Sequence, residues 1–181
     1  MFHVKHCETE GPAPWIRTRW WLGLGLGAYA LVVVALTMFK GYFTIGRLWR
    51  TEVHHTRALE LVPFDELVRA PTAFTTIFGY LGNIGLFFPL GVLVFSLLRH
   101  RGVRHPLRRT VFISAAASLT IEVTQYILAN GYSDIDDLMC NTFGGFLGAL
   151  LARKAGLRWH RVWGAIGVLL LVAFGLVVML A

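Results

Sequence analysis

The fold is decided by residues 110–152, TVFISAAASLTIEVTQYILANGYSDIDDLMCNTFGGFLGALLA. Two mainly apolar runs of helix length flank a short acidic turn. The first run carries Ser118, Thr120, Glu122, Thr124 and Gln125, the turn carries Asp134, Asp136 and Asp137, and the second run opens with Asn141 before becoming glycine-rich. A carboxylate within such a run costs about 2.5–3.5 kcal/mol on membrane-insertion scales. Glu122 therefore marks the candidate functional centre. Ser118, Glu122 and Gln125 fall at i, i+4 and i+7 and share one helix face. Glu122 lies eight residues before Asn130, roughly 12 Å below the helix end by helical rise. That face is expected to point into a bundle, with Gln125, Asn83, Asn141 or a loop arginine as the partner of Glu122.

Working outward, the rest of the chain repeats this pattern. Of its 181 residues, 56% are hydrophobic, and the mean hydropathy of +0.61 places it among membrane proteins. A stretch of ~20 apolar residues crosses the ~30 Å hydrocarbon core. The apolar runs predict an all-α compact bundle of about five transmembrane helices, near 20–39, 76–98, 110–129, 135–152 and 162–181. Gly23, Gly25 and Gly27, the stripe Gly79, Gly82 and Gly85, and the pair Gly144 and Gly148 are expected to permit close helix approach. Pro89 and Gly91 predict a kink in the second span. Residues 40–75 form the longest loop, with a short interfacial helix or a lid over the carboxylates, and Arg57 facing them in the latter case.

Charge sets the expected orientation. The net charge is +7. The basic residues cluster in short segments between apolar runs, which argues against nucleic acid as a partner and for topology signals. With the N-terminus inside, the cytoplasmic segments hold twelve Lys/Arg and the outer ones five: Lys40, Arg47, Arg50, Arg57 and Arg69. The N-terminus is thus expected in the cytoplasm, which places the DIDD turn and the long loop together on the outer face. Residues 1–19 would be a cytoplasmic tail, 20–152 the membrane domain, and 153–181 a basic loop and C-terminal span. Phe2 to Lys5 can be encoded by a self-complementary TTT CAC GTG AAA that resembles a bacterial chromosome-partition site, so the true start is expected downstream. A non-palindromic codon choice in the gene would sink that idea.

Several chemistries remain open at the centre. Ser133 followed by Asp136 is capping-box-like, and acidic side chains suit a helix N-terminus. Three aspartates exceed what capping needs. Asp134, Asp136 and Asp137 could hold a divalent cation such as Mg2+ or Ca2+, which take oxygen ligands. His3, His6 and Cys7 sit in a tail without fixed geometry and are not read as a metal site. Two cysteines, Cys7 and Cys140, make no disulfide framework. No HExxH, GxSxG or phosphate loop occurs. Three functions fit: an outward pocket that recognises an envelope ligand, a membrane-embedded enzyme acting on a lipid head group with Glu122 as base, and a small proton-coupled transporter.

Four pieces together resemble the VanZ-like family of bacterial membrane proteins: RALELVPF (57–64), GNIGLFFPLG (82–91), SLTIEVTQ (118–125) and DIDDLMCNTFGG (134–145). They cover about residues 57–150, in the family's order. The resemblance implies a multi-pass protein of the bacterial cell membrane with a cell-envelope role. The family takes its name from a protein that lowers susceptibility to the glycopeptide teicoplanin. A lipophilic antibiotic or a lipid-linked cell-wall precursor, beside membrane lipid, is therefore the implied partner. The implied ligand pocket comprises Arg57, Asn83, Ser118, Glu122, Gln125, Asp134, Asp136, Asp137 and Asn141. Two positions depart from the pattern. Gly131 stands where the family usually has an arginine, and Glu60 where it often has Asn; both make the site less basic.

Overall fold

A computed structural model describes residues 14–38, 58–65, 73–128 and 132–180. Among the described residues, five helices carry the chain: α1 (Pro14–Met38), α2 (Ala73–His100), α3 (Pro106–Leu128), α4 (Ile135–Ala155) and α5 (His160–Leu180). Three of them contain spans long and apolar enough to cross a membrane: Thr18–Thr37, Thr76–His100 and Pro106–Leu128. Two three-residue strands, β1 (Ala58–Glu60) and β2 (Tyr132–Asp134), pair in parallel, with Ala58 opposite Tyr132 and Glu60 opposite Asp134. Neither strand has a period-2 pattern that would announce it.

The helix ends follow from local chemistry. Pro14 and Pro106 each occupy the first helical position, where a missing N–H costs nothing. At the end of α2, Arg19 of α1 donates from Nε and Nη2 to the His100 carbonyl at 3.2 and 2.9 Å. At the far end of α4, Gly156 adopts φ 77° and its N–H returns to the Ala152 carbonyl. That left-handed backbone suits glycine because there is no Cβ to clash. The 3-10 turn Leu157–Trp159 then leads into α5.

The core is formed mainly by α1 and α2. Leu22, Tyr29, Val32 and Val33 pack with Phe87, Leu90, Leu93, Val94 and Leu97, and Ile121 of α3 closes the cluster. Inside lipid, burying apolar surface gives little drive, so close van der Waals fit must hold helices together. Glycines supply that fit along two seams. On α2 and α4, a Cβ on Gly91 would strike the backbone of Gly145, one on Gly144 the carbonyl of Ile84, and one on Gly148 the carbonyl of Phe88. On α1 and α5, Gly25 lies against Gly164 and Gly167. Gly144 and Gly148 thus act as the expected small pair. Gly23 and Gly27, and the whole stripe Gly79, Gly82 and Gly85, have nothing within 4 Å of a Cβ position among the described residues. Spacing alone identified a smooth stripe on α2, but the face that meets α4 carries Gly91.

Candidate functional site

The α3 side of the site is a polar stripe. Thr110, Ser114, Ser118 and Glu122 recur every four residues and are all buried. Each of the last three meets a matching element of the α4 region. Ser114 lies against Gly145. Ser118 Oγ accepts from Asn141 Nδ2 at 2.9 Å. Glu122 Oε2 accepts from the backbone N–H of Asp134 at 3.1 Å. Glu122 is only 4% exposed. The chain leaving α3 folds back through β2, so a main-chain donor meets Glu122 below the helix end. A backbone donor of this kind leaves no mark in a sequence.

The α4 N-terminus organises the aspartates. Asp134, with φ −118° and ψ 131°, is the N-cap, and its Oδ1 accepts from Asp136 N at 2.8 Å. The cap is therefore Asp134 rather than the Ser133 expected from the capping-box pattern. The helix starts at Ile135, which makes Asp134 the residue whose carboxylate reaches the orphan N–H groups. Asp136 turns inward and is 1% exposed. It accepts from Tyr80 Oη of α2 at 2.6 Å and, on both oxygens, from the backbone N–H of Phe64 at 2.9 and 3.0 Å. Asp137 accepts from Asn83 Nδ2.

Residues 58–65 of the long loop therefore dock onto the acidic turn twice, through β1–β2 pairing and through Phe64. The ring of Phe64 adds an edge contact to Tyr80, with centroids 6.2 Å apart. This part of the loop reaches the carboxylates, as its expected position on the same face requires.

Of the nine residues singled out from sequence, Asn83, Ser118, Glu122, Asp134, Asp136, Asp137 and Asn141 come together where α2, α3, α4 and β2 meet. Gln125 does not join them: its Nε2 donates to the Thr37 carbonyl in the last turn of α1, at 3.1 Å. It ties α1 to α3. Arg57, and Gly131 with it, lies outside the described residues. Tyr80 and Phe64 were missed. Tyr80 sits three residues before Asn83 and so shares its helix face, which was the available signal. Among the described residues, Asp134, Asp136 and Asp137 accept from different donors. Among the described residues, no group of three or more His, Cys, Asp or Glu could hold a metal ion.

The arrangement defines a class: a helical bundle with membrane-length apolar helices and a buried carboxylate network at one end. Comparison with known proteins then gives the family. The family described as VanZ/LLP1 matches residues 26–174. Protein VanZ of Enterococcus faecium is 32% identical over 152 residues, covering 81% of this chain and 86% of that protein. No solved structure matches significantly. The chain belongs to the VanZ family.

Proposed function

We propose that this chain is a multi-pass protein of the bacterial cell membrane that recognises a lipophilic antibiotic or a lipid-linked wall component at the carboxylate network, and so lowers susceptibility to teicoplanin-type glycopeptides. Family membership and the three membrane-length apolar helices support the location. The excess of Lys/Arg in the segments around 1–19, 99–109 and 153–161 supports a cytoplasmic N-terminus. The network then faces outward, where wall precursors and glycopeptides are found.

The observation that carries the reading is the buried Asp136. Its carboxylate gathers Tyr80 of α2 and the backbone of Phe64 around an acceptor-rich centre. Carboxylates accept hydrogen bonds, and they match a ligand rich in N–H and O–H donors. Sugar- and peptide-bearing wall precursors and glycopeptides both present such groups. Asn83, Asp134 and Asp137 are only half-buried, so this part of the network is the part a ligand's donors would reach.

The test is teicoplanin and vancomycin susceptibility in a sensitive Gram-positive host. It compares the wild type with Glu122→Gln and Asp137→Asn at equal membrane levels. The wild type is expected to protect selectively against teicoplanin, and the two variants to lose that protection. Variants that protect as well as the wild type would remove the network from the function. No protection by the wild type would show that the teicoplanin role does not extend to this chain.

A further inference from the structure

The opposite end of the bundle carries a different site. A cleft of about 800 Å3 opens between the C-terminal ends of α2 and α4, the α2–α3 turn, and the start of α5. Its apolar wall is formed by Phe95, Leu107 and Ala152, and its basic side by Arg99, Arg108 and Arg153. All three arginines are exposed. Among the described residues, no Asp or Glu lines the cleft. None occurs in residues 84–121 or 138–181 either, so both long stretches that build this end are free of carboxylates.

Two further features point to an anion. The first turn of α3, with Pro106, Leu107 and Arg108, lines the cleft. A helix N-terminus presents partial positive charge and unpaired N–H groups. His160 also lines the cleft. It is 1% exposed, and its Nδ1 has no hydrogen-bond partner among the described residues. A buried polar atom without a partner costs about 1–3 kcal/mol, and a ligand in the cleft would relieve that cost.

We infer that this cleft binds the phosphate-bearing head group of an anionic phospholipid, with the arginines on the phosphate and the start of an acyl chain along Phe95 and Leu107. The occupant is a lipid rather than a free phosphate because the basic side adjoins an apolar wall. Basic pockets between membrane helices bind lipid phosphates in this way. Guanidinium groups bind phosphate through paired, charge-assisted hydrogen bonds. The site does not depend on what the carboxylate network recognises, and loss of one function leaves the other measurable.

The experiment is a binding titration on the full chain in a non-ionic detergent, where the orientation in the membrane plays no part. The probes are a short-chain phosphatidylglycerol, the phosphatidylcholine of the same chain length, and inorganic phosphate. Phosphatidylglycerol is expected to bind at least about tenfold more tightly than either of the others. Arg99→Gln and Arg153→Gln, both at exposed positions that spare the core, are each expected to weaken it by about fivefold. Arg158→Gln, an exposed arginine outside the cleft, is expected to change it by less than about twofold. Equal binding of phosphatidylcholine would overturn the proposal. So would a loss at Arg158 as large as at Arg99, which would indicate diffuse charge attraction. Inorganic phosphate binding as tightly as the lipid would assign the cleft to a free anion and overturn the lipid occupant.

Discussion

Replacing Tyr80 with phenylalanine removes one oxygen and leaves the ring. In the wild type that oxygen lies 2.6 Å from Asp136 Oδ2, and Asp136 is 1% exposed. A hydrogen bond to a carboxylate contributes roughly 1.5–3 kcal/mol net. Two considerations set the value within that range. Burial raises it, because water cannot replace the lost donor. The Phe64 N–H lowers it, since it already reaches both carboxylate oxygens at 2.9 and 3.0 Å. The expected loss is therefore about 2 kcal/mol, roughly a thirtyfold change in the unfolding equilibrium. The edge contact between Phe64 and Tyr80 survives the substitution and does not enter the difference. Titration of the purified chain with SDS in mixed micelles, followed by helical circular dichroism, measures it. A double-mutant cycle with Asp136→Asn isolates the pair and should give a coupling of at least about 1 kcal/mol. A Tyr80→Phe protein within about 0.5 kcal/mol of wild type, with no coupling, would refute the claim that this bond holds α2 to the acidic turn.

Three other outcomes follow from the packing and the polar ladder. Gly91→Ala should destabilise the bundle by about 1–3 kcal/mol, since its Cβ meets the Gly145 backbone, whereas Gly82→Ala should be near neutral because among the described residues nothing lies within 4 Å; thermal unfolding in detergent compares the two. Asn83→Asp should lower folded yield, because it faces a carboxylate with a carboxylate, and adding Asp137→Asn should recover much of it by restoring a donor–acceptor pair; size-exclusion yield of the single and double variants checks this. Ser118→Ala should cost about 1–3 kcal/mol by leaving Asn141 Nδ2 without its acceptor, read by the same SDS titration.

The helices were largely legible because the apolar runs are long and the breaks between them hold Pro, Gly and arginine clusters. The convergence of Glu122 with the aspartates was also legible, since a carboxylate in an apolar run has few places to go. What the sequence hid has a common cause. The partners of Glu122 and Asp136 include the backbone N–H groups of Asp134 and Phe64, and every residue but proline carries one. The β1–β2 pairing rests on three residues in each strand, too few for a periodic signal. Helical spacing defines which residues share a face but not which face meets a neighbour. Gly79, Gly82 and Gly85 therefore looked like a seam, while Gly91 forms one. Gln125 shares a face with Ser118 and Glu122 by spacing, yet it sits high enough on α3 to reach the end of α1 instead.

Phe64 adopts φ 62°, a left-handed backbone that costs a residue with a Cβ roughly 1–2 kcal/mol. The strain sits at the residue whose N–H engages Asp136, so the docked loop works as a loaded catch. Its hold is the difference between one N–H shared by both Asp136 oxygens and a backbone that would relax on release. A ligand group that competes for Asp136 would meet less resistance than the burial of that carboxylate implies, because letting go of Phe64 returns the strain.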